Sequence, residues 1–426
     1  MRITVHDFSG HPFQAELSRS LAHQGHEVEH LHAEQYVSGK GHLERLPDDA
    51  PTLRFRGVRL TLPFLKYSPL TRLRYEAAYG KEWIRRSRRS DAQVTIASNV
   101  PLVSHFRWAV WARLRRHPWV FWHQDIYSVG LADEARSRLP RPLGALAARV
   151  FDRMERYCAR TAAHVVAIGD GFCETYERWG VDARRVSVIP NWAPLDKVRP
   201  TDRDNDRSAE LFGDAEGLRM LYAGTLGRKH NPMLLVEVLR AARAQGLDAA
   251  LTVISEGEAA DSLAALASQE PDLGLRVLGF QPAEDLPSVL GSADVLVGLL
   301  EPDATMFSIP SKVLTYMAAG RPILGLMPAD NPAAMDILTT GGHVEVPTVD
   351  GAWACAEWLE KLSADTDAVA VIGSRARAVA EEKFHLPTIT DRFEAVLRAA
   401  VSTRRSAARP TSARETSGPA MSPVRG

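Results

Sequence analysis

The sequence predicts an α/β fold of two doubly wound, Rossmann-like domains facing a cleft, and three observations lead there. The chain has 426 residues, too many for one comfortable core, so two domains of roughly 200 residues are expected. Short runs that are apolar throughout alternate with amphipathic stretches, as they do when parallel strands are covered by helices on both faces. The alternation runs through the first half, stops, and restarts in the second.

In the first half, Ile3 to His6 reads as a strand, Phe13 to His23 as a helix and Val28 to His32 as the next strand. The rhythm resumes with strand Val94 to Ala97, helix Pro101 to Arg116, strand Trp119 to Trp122, helix Leu143 to Thr161 and strand Val165 to Ile168. Val186 to Pro190 closes a domain spanning 1–195. From 196 to 217, Asp, Arg, Pro and Gly dominate without apolar periodicity, the composition of an interdomain linker. A second domain, 218–383, runs from strand Met220 to Ala223 through helix Pro232 to Gln245, strand Ala250 to Ser255, helix Ala259 to Ser268 and strand Leu275 to Phe280. It continues with strand Val295 to Leu300, helix Lys312 to Ala319 and strand Pro322 to Leu326, and Gly320 suits the left-handed cap after that helix. Residues 384–401 form a C-terminal helix able to cross back to the first domain, and the Ser-, Arg-, Pro- and Ala-rich tail 402–426 is too poor in large apolar residues to order.

Bulk chemistry narrows the function. Lysine plus arginine and aspartate plus glutamate both total 52, so net charge makes no case for a nucleic-acid partner. The three cysteines, Cys158, Cys173 and Cys355, fit neither a disulfide framework nor a zinc site, and point to a reducing, cytoplasmic setting. No leader-type segment opens the chain, and no run of eighteen apolar residues occurs. There is no G-x-G-x-x-G after the first strand and no G-x-x-x-x-G-K-[ST], which argues against a nicotinamide enzyme or an ATPase. The Asp202/Asp204 and Asp365/Asp367 pairs lie in polar segments and read as solvated, so no obligatory metal is expected.

Two domains of this kind place a ligand at the carboxyl ends of their strands. The most informative loop is Phe307-Ser308-Ile309-Pro310-Ser311-Lys312-Val313-Leu314-Thr315-Tyr316, which enters the helix stopped by Gly320. Pro310 suits a first helical turn, and the amides of Ser311 and Lys312 would then point from the positive helix end toward a bound diphosphate. A plain helix start with a serine cap reads the same way.

That segment is similar to the donor-binding loop and helix of the retaining glycosyltransferases of family 4, which have the GT-B fold. Other segments extend the resemblance: Val186-Ser187-Val188-Ile189-Pro190-Asn191 before the interdomain crossing, Tyr222-Ala223-Gly224-Thr225-Leu226-Gly227-Arg228-Lys229-His230 after the first strand of the second domain, and Val277-Leu278-Gly279-Phe280 with Asp285-Leu286-Pro287. The start Ser9-Gly10-His11-Pro12-Phe13 resembles the subgroup that builds bacterial surface polysaccharides. The resemblance implies a retaining hexosyltransferase that takes a UDP- or GDP-sugar as donor and delivers the sugar to a lipid-linked or saccharide acceptor. It implies that Gly224, Thr225, Gly227, Glu256, Phe280, Ser308, Pro310, Ser311, Lys312 and Thr315 bind the donor, Phe280 reading equally as core. Gly10 follows the first strand, where a glycine lets an acceptor or the donor phosphate approach the backbone closely or simply makes a tight turn.

Breaking a sugar–diphosphate bond builds negative charge on the leaving group, which fixed cations and amides must stabilise. Arg228, Lys229 and Lys312 are the candidate cations. His123, at the end of Trp119-Val120-Phe121-Trp122-His123, resembles the family histidine beside the donor sugar, although a core histidine satisfied by its neighbours fits the same position. Two family glutamates eight residues apart are replaced by Phe307 and Thr315, with Glu301 or Asp303 the nearest acids upstream. A nucleotide-sugar 2-epimerase and a non-catalytic sugar-nucleotide-binding partner of another transferase are the rival readings.

The stretch 53–122 carries fifteen Lys and Arg residues, interleaved with Phe55, Phe64, Tyr67, Trp83, Trp108 and Trp111. It suggests a basic, aromatic surface resting on anionic lipid at the inner membrane face, with a solvated basic face, or arginines binding an acidic partner, as the plainer alternatives.

Overall fold

The computed structural model describes residues 1–36, 40–62, 69–227, 231–300 and 310–407. Two all-parallel sheets organise them. The first contains β1 (Arg2–Asp7), β2 (Glu27–Ala33), β3 (Leu53–Val58), β4 (Val94–Ser98), β5 (Trp119–His123), β6 (His164–Ala167) and β7 (Val186–Val188), in the order β3-β2-β1-β4-β5-β6-β7. The second contains β8 (Leu218–Ala223), β9 (Ala249–Ile254), β10 (Leu275–Leu278), β11 (Val295–Leu299), β12 (Ile323–Leu326) and β13 (His343–Glu345), in the order β10-β9-β8-β11-β12-β13. Strand order reverses between β1 and β4 in one sheet and between β8 and β11 in the other, so each lobe has a crevice at those carboxyl ends.

The central strands β4, β5 and β11 are buried at every position, as strands sandwiched between helices must be. Apolar continuity therefore located most strands to within a few residues. It missed the two edge strands β3, with its alternating LRFRGV, and the three-residue β13, and the helix Pro69–Ser87, which a basic reading of that stretch had absorbed.

The described aromatics of that stretch, Phe55, Trp83, Trp108 and Trp111, lie in or against the core. Trp83 and Trp108 are fully buried and stack with centroids 4.2 Å apart, while Phe64 and Tyr67 lie outside the described residues. Trp83 and Trp108 build the first lobe's core rather than a lipid-facing surface, because a large ring gains more from burial than from a half-wet interface. The arginines of the stretch stay on the outside, among them Arg54, Arg74, Arg88 and Arg113.

The stretch 196–217 is not a free linker. It forms a short helix, Ser208–Phe212, and its charges are satisfied on the second lobe by Arg203–Asp294 at 2.8 Å and Arg219–Asp204 at 2.7 Å. The chain crosses between lobes just upstream, at Ile189–Leu195, and again near Phe384, where the amide of Ala193 donates to the carbonyl of Phe384 at 2.9 Å. The helix Leu386–Ala407 then packs against the first lobe, with Gln24 donating to Asp391 at 2.7 Å and His26 bonded to Glu394 at 2.8 Å. It runs past Ser402, where the tail was expected to begin, and residues from 408 lie outside the described set. Among the described residues no helix is long and apolar enough to cross a membrane.

The first lobe buries His6, His30 and His105 completely, and burial lowers all three, His30 and His105 to about 3. Asp7, also buried, is pushed the other way, up to about 7. Between pH 6.5 and the folded-state values, unfolded histidine takes a proton that the folded lobe refuses, so stability present above 6.5 is lost as pH falls. Each such proton costs about 1.4 kcal/mol per pH unit, and Asp7 relieves one of the three over part of the range. Urea unfolding at pH 5 should therefore show the protein a few kcal/mol less stable than at pH 7; an unchanged midpoint would mean the histidines are already charged or solvated.

Candidate functional site

In the second lobe, β8 ends in the turn Gly224-Thr225-Leu226-Gly227. Gly224 has φ +144°, and a Cβ there would lie 2.8 Å from Cε and 3.1 Å from Nζ of Lys312, so the lysine can lie against this backbone only because the residue is glycine. Lys312 stands in the first turn of the helix Ser311–Ala319, and its amine sits 4.3 Å from the centroid of the Tyr222 ring and donates to the Tyr222 hydroxyl. That hydroxyl in turn donates to the carbonyl of Thr225 at 3.0 Å. One turn along the helix, Tyr316 accepts from the amide of Ala223 at 3.0 Å and donates to its carbonyl at 3.2 Å. The glycine turn and the helix start are thus fastened together by two tyrosines that composition and spacing did not single out.

Burial lowers Lys312 to about 8, since an ammonium shielded from water loses hydration that the aromatic ring does not replace. The helix begins at Ser311, so Pro310 is the residue before it rather than part of its first turn. No side chain caps this end, which leaves its leading amides available to an anion. Thr315 donates back to the Ser311 carbonyl at 3.4 Å. Glu256 follows β9 and accepts from the amide of Phe280 at 3.3 Å, while Phe280, after β10, is 50% exposed rather than packed in the core. Gly224, Thr225, Gly227, Glu256, Phe280, Ser311, Lys312 and Thr315 thus all follow carboxyl ends of the second sheet. Arg228, Lys229, Ser308, Phe307, Glu301 and Asp303 lie outside the described residues.

The first lobe corrects two expectations. His123 is buried at the end of β5 with both ring nitrogens engaged, Nδ1 with the Tyr176 hydroxyl at 2.9 Å and Nε2 with Glu155 at 3.2 Å. The same Glu155 carboxylate accepts from the amides of Tyr127 at 3.0 Å and Ser128 at 2.8 Å, so it secures the next helix start. His123 presents no nitrogen to the crevice; it is the core histidine that the sequence also allowed. Gly10, at φ +72°, uses its missing side chain against Leu43, whose Cδ1 would lie 2.5 Å from a Cβ, and its carbonyl accepts from Gly41 at 2.8 Å. It serves a tight turn packed against the chain itself.

A cavity of about 250 Å³ opens beside that turn, at the β1/β4 reversal, lined among others by His11, Tyr36, Arg72, Asn99 and Tyr127. Asp7 anchors its rim by accepting from the Ser9 amide and hydroxyl at 3.2 and 2.9 Å and from the His11 amide at 2.5 Å. Asn99, at φ +50°, holds a backbone conformation that costs a non-glycine residue on the order of 1 kcal/mol. The strand-ending Asn-Val-Pro at 99–101 was the available sequence signal.

The lobes meet around a second cavity, of about 370 Å³, between the ends of β6 and β7 and the helix Ser311–Ala319. Its lining includes Asp170, Asn191, Leu314, Met317 and Phe384. Gln124 and Asn191 exchange reciprocal amide hydrogen bonds, both 3.0 Å, within the first lobe's edge of this meeting point.

Two family models match the chain in tandem, a glycosyl transferase 4-like domain over residues 11–192 and glycosyl transferases group 1 over 217–365. The chain belongs to the GT-B glycosyltransferase superfamily. It is similar to the probable glycosyltransferase WbjE of Pseudomonas aeruginosa, 24% identical over 255 residues, 60% of this chain and 62% of that protein. The fold is shared with Anabaena HepE in complex with UDP and glucose, TM-score 0.62 at 16% identity, covering 94% of this chain and 100% of that one. It is also shared with WaaG, a glycosyltransferase involved in lipopolysaccharide biosynthesis, TM-score 0.62 at 14% identity, covering 93% and 99%.

The buried position of His123 in this GT-B chain has a measurable consequence. His123→Ala opens a core void and removes a partner from buried Glu155, and should lower unfolding free energy by about 3 kcal/mol in urea melts. A histidine that merely faced a ligand would leave the melt unchanged.

Proposed function

We propose that the chain transfers a hexose, with retention, from a UDP- or GDP-sugar to a lipid-linked or saccharide acceptor in the assembly of a surface polysaccharide or related glycoconjugate. The observation that carries this reading is Lys312 lying across Gly224, which joins the glycine turn to an uncapped helix start. Such a corner suits a pyrophosphate: the amides of Ser311 and Lys312 and the turn at Gly224, Thr225 and Gly227 face one oxygen set, and the lysine supplies charge. Arg228, Lys229 and Ser308 are assigned to the same phosphates. Phe280, half exposed beside Glu256, is assigned to the base, and Thr315 to the ribose. HepE, of the same fold, binds UDP and glucose, and the name of WaaG links that fold to lipopolysaccharide.

In this mechanism the leaving diphosphate collects the charge of bond cleavage, and the second lobe stabilises it. The departing oxygen then helps take the acceptor's hydroxyl proton as that hydroxyl attacks from the same face. No metal is assigned a part. The acceptor is assigned to the first-lobe cavity, and His123 acts there only by holding Glu155, and through it the amides of Tyr127 and Ser128, in place.

Radiolabelled UDP- and GDP-hexoses incubated with the protein and a membrane lipid extract should yield label in the lipid fraction. An altered free sugar would mark an epimerase instead, and binding without turnover a non-catalytic partner. Lys312→Ala should weaken binding of the nucleoside diphosphate about a hundredfold, the scale of a lost oxyanion-type contact, with the fold intact by circular dichroism. Because Lys312 titrates at about 8, wild-type affinity should also fall as pH rises through that value, and Lys312→Ala should flatten the dependence in calorimetric titrations.

A further inference from the structure

The helix Pro69–Ser87, which apolar periodicity did not announce, brings one arginine to the cavity at the β1/β4 reversal. Arg72 donates through Nε to Oε1 of Glu76, one turn along, at 2.8 Å. On an exposed helix face an Arg–Glu pair at this spacing is commonplace and contributes little. Here the Glu76 side chain is only 7% exposed, and its carboxylate also accepts from the backbone amide of Val103. The glutamate is thus fixed against the helix Leu102–Leu114 and holds the half-buried guanidinium from its Nε side. Neither Nη nitrogen of Arg72 has a partner among the described residues.

The rest of the cavity wall is aromatic and uncharged. Phe8, Tyr36 and Tyr127 contribute to it. Gln35 accepts from the Leu60 amide at 2.9 Å and from the Tyr75 hydroxyl at 3.1 Å, which pins the segment carrying Tyr36 to the helix carrying Arg72. Burial raises Tyr127 well above its ordinary value, so its hydroxyl stays protonated and can donate. Burial lowers His11, which is therefore neutral at pH 7. Asp7 lies under the rim with its oxygens given to Ser9 and His11, and is not part of the lining. Among the described lining residues Arg72 alone carries a fixed charge. Aromatic walls suit the apolar face of a sugar ring, and a guanidinium with two free N–H groups matches the paired oxygens of a carboxylate or a phosphate. At about 250 Å³ the cavity is smaller than the roughly 300 Å³ at which drug-sized sites begin, so it suits a single terminal sugar residue.

We propose that Arg72 selects the acceptor: the first-lobe cavity takes a terminal sugar bearing an oxyanion, a carboxylate on the ring or a phosphate ester, which the Nη groups of Arg72 receive. This rests on the assignment of that cavity to the acceptor. Discrimination follows from the cost of the wrong partner, because a neutral sugar displaces water from the guanidinium and leaves its N–H groups unsatisfied. Arg72 acts on which acceptor is held, while the charge of bond cleavage is handled in the second lobe.

Ligand-observed NMR titration of the full chain with methyl glucuronide, methyl galacturonide, glucose 6-phosphate and methyl glucoside tests the proposal. At least one anionic sugar should bind about ten- to a hundredfold more tightly than methyl glucoside. A preference for a uronide identifies the ring carboxylate, and a preference for glucose 6-phosphate identifies the ester. Arg72→Gln should reduce the anionic sugar to the level of methyl glucoside, leaving methyl glucoside, thermal unfolding and the binding of UDP and GDP as in the wild type. Arg72→Lys keeps the charge without the two-pronged edge and should restore part of the preference. The proposal is overturned if none of the four sugars binds, if methyl glucoside binds as well as the anionic ones, or if Arg72→Gln keeps the preference. It is equally overturned if Arg72→Gln weakens all the sugars alike, which would make Arg72 only a structural partner of Glu76. If Arg72→Gln does not fold, Arg72→Lys decides, and an undiminished preference in it overturns the proposal. An Arg72-dependent preference without sugar transfer from any UDP- or GDP-hexose would sink the transferase reading and leave the anion site. Transfer to neutral and anionic acceptors alike would sink only the anion site.

Discussion

Two backbone crossings held side by side govern how this molecule is put together. The chain leaves the first lobe at Ile189–Leu195 and returns at Phe384, and the hydrogen bond from Ala193 to Phe384 joins the two passages. Trp192, in the outgoing passage, is buried against the first lobe, stacking edge-on with Phe13 and donating to Glu16 at 2.7 Å. On the other side Arg377 donates at 2.8 Å each to the carbonyl of Val198, just past the crossing, and to that of Ala318. Ala318 lies in the last turn of the helix whose first turn carries Lys312, so one guanidinium ties the hinge to the negative end of that helix. Because all strands in both sheets are parallel, every strand-to-helix loop of a lobe sits at one edge, and the crossings set those edges against each other.

Aromatic burial does different work in the two lobes. In the first lobe, Trp83, Trp108, Trp119, Trp122, Trp179 and Trp192 are all sunk in or beside the core. Rings of that size bring polar N–H groups with them, and Trp108 and Trp179 place theirs on Ser87 and Asp152, each at 2.9 Å. In the second lobe the aromatic residues that matter most are two tyrosines at the site, and their hydroxyls are the fasteners. A phenylalanine at 222 or 316 would fill the same volume but leave the turn and the helix start without their cross-link.

Buried charge and its neighbours account for both the rigidity of the first lobe and the economy of its crevice. Glu155 satisfies an imidazole and two backbone amides at once, and Asp7 satisfies two amides and a hydroxyl. Asp7 ends β1 and shapes the loop that follows, while Glu155, within the helix Arg141–Thr161, reaches His123 at the end of β5 and the start of the next helix. A buried carboxylate is tolerated only when its oxygens are fully engaged, and here that engagement is what positions the cavity wall.

The sequence by itself determined the architecture, because continuous apolar runs in alternation with amphipathic ones admit little besides parallel sheets between helix layers. It also located the turn after β8 and the helix ended by Gly320, since glycine and proline leave a backbone signature wherever they stand. Local pattern could not say which way a side chain faces once distant segments pack. His123 reads equally as a ligand contact or a core residue, and only Tyr176 and Glu155, 53 and 32 residues away, make it the second. Trp83 and Trp108 read equally as a lipid-facing belt or a core stack, and only their meeting across two helices decided it. The partnership of Lys312 with Gly224 and Tyr222 was likewise a matter for the tertiary structure, because it joins residues some 90 positions apart that share no local pattern and meet only when a parallel sheet brings β8 beside β11.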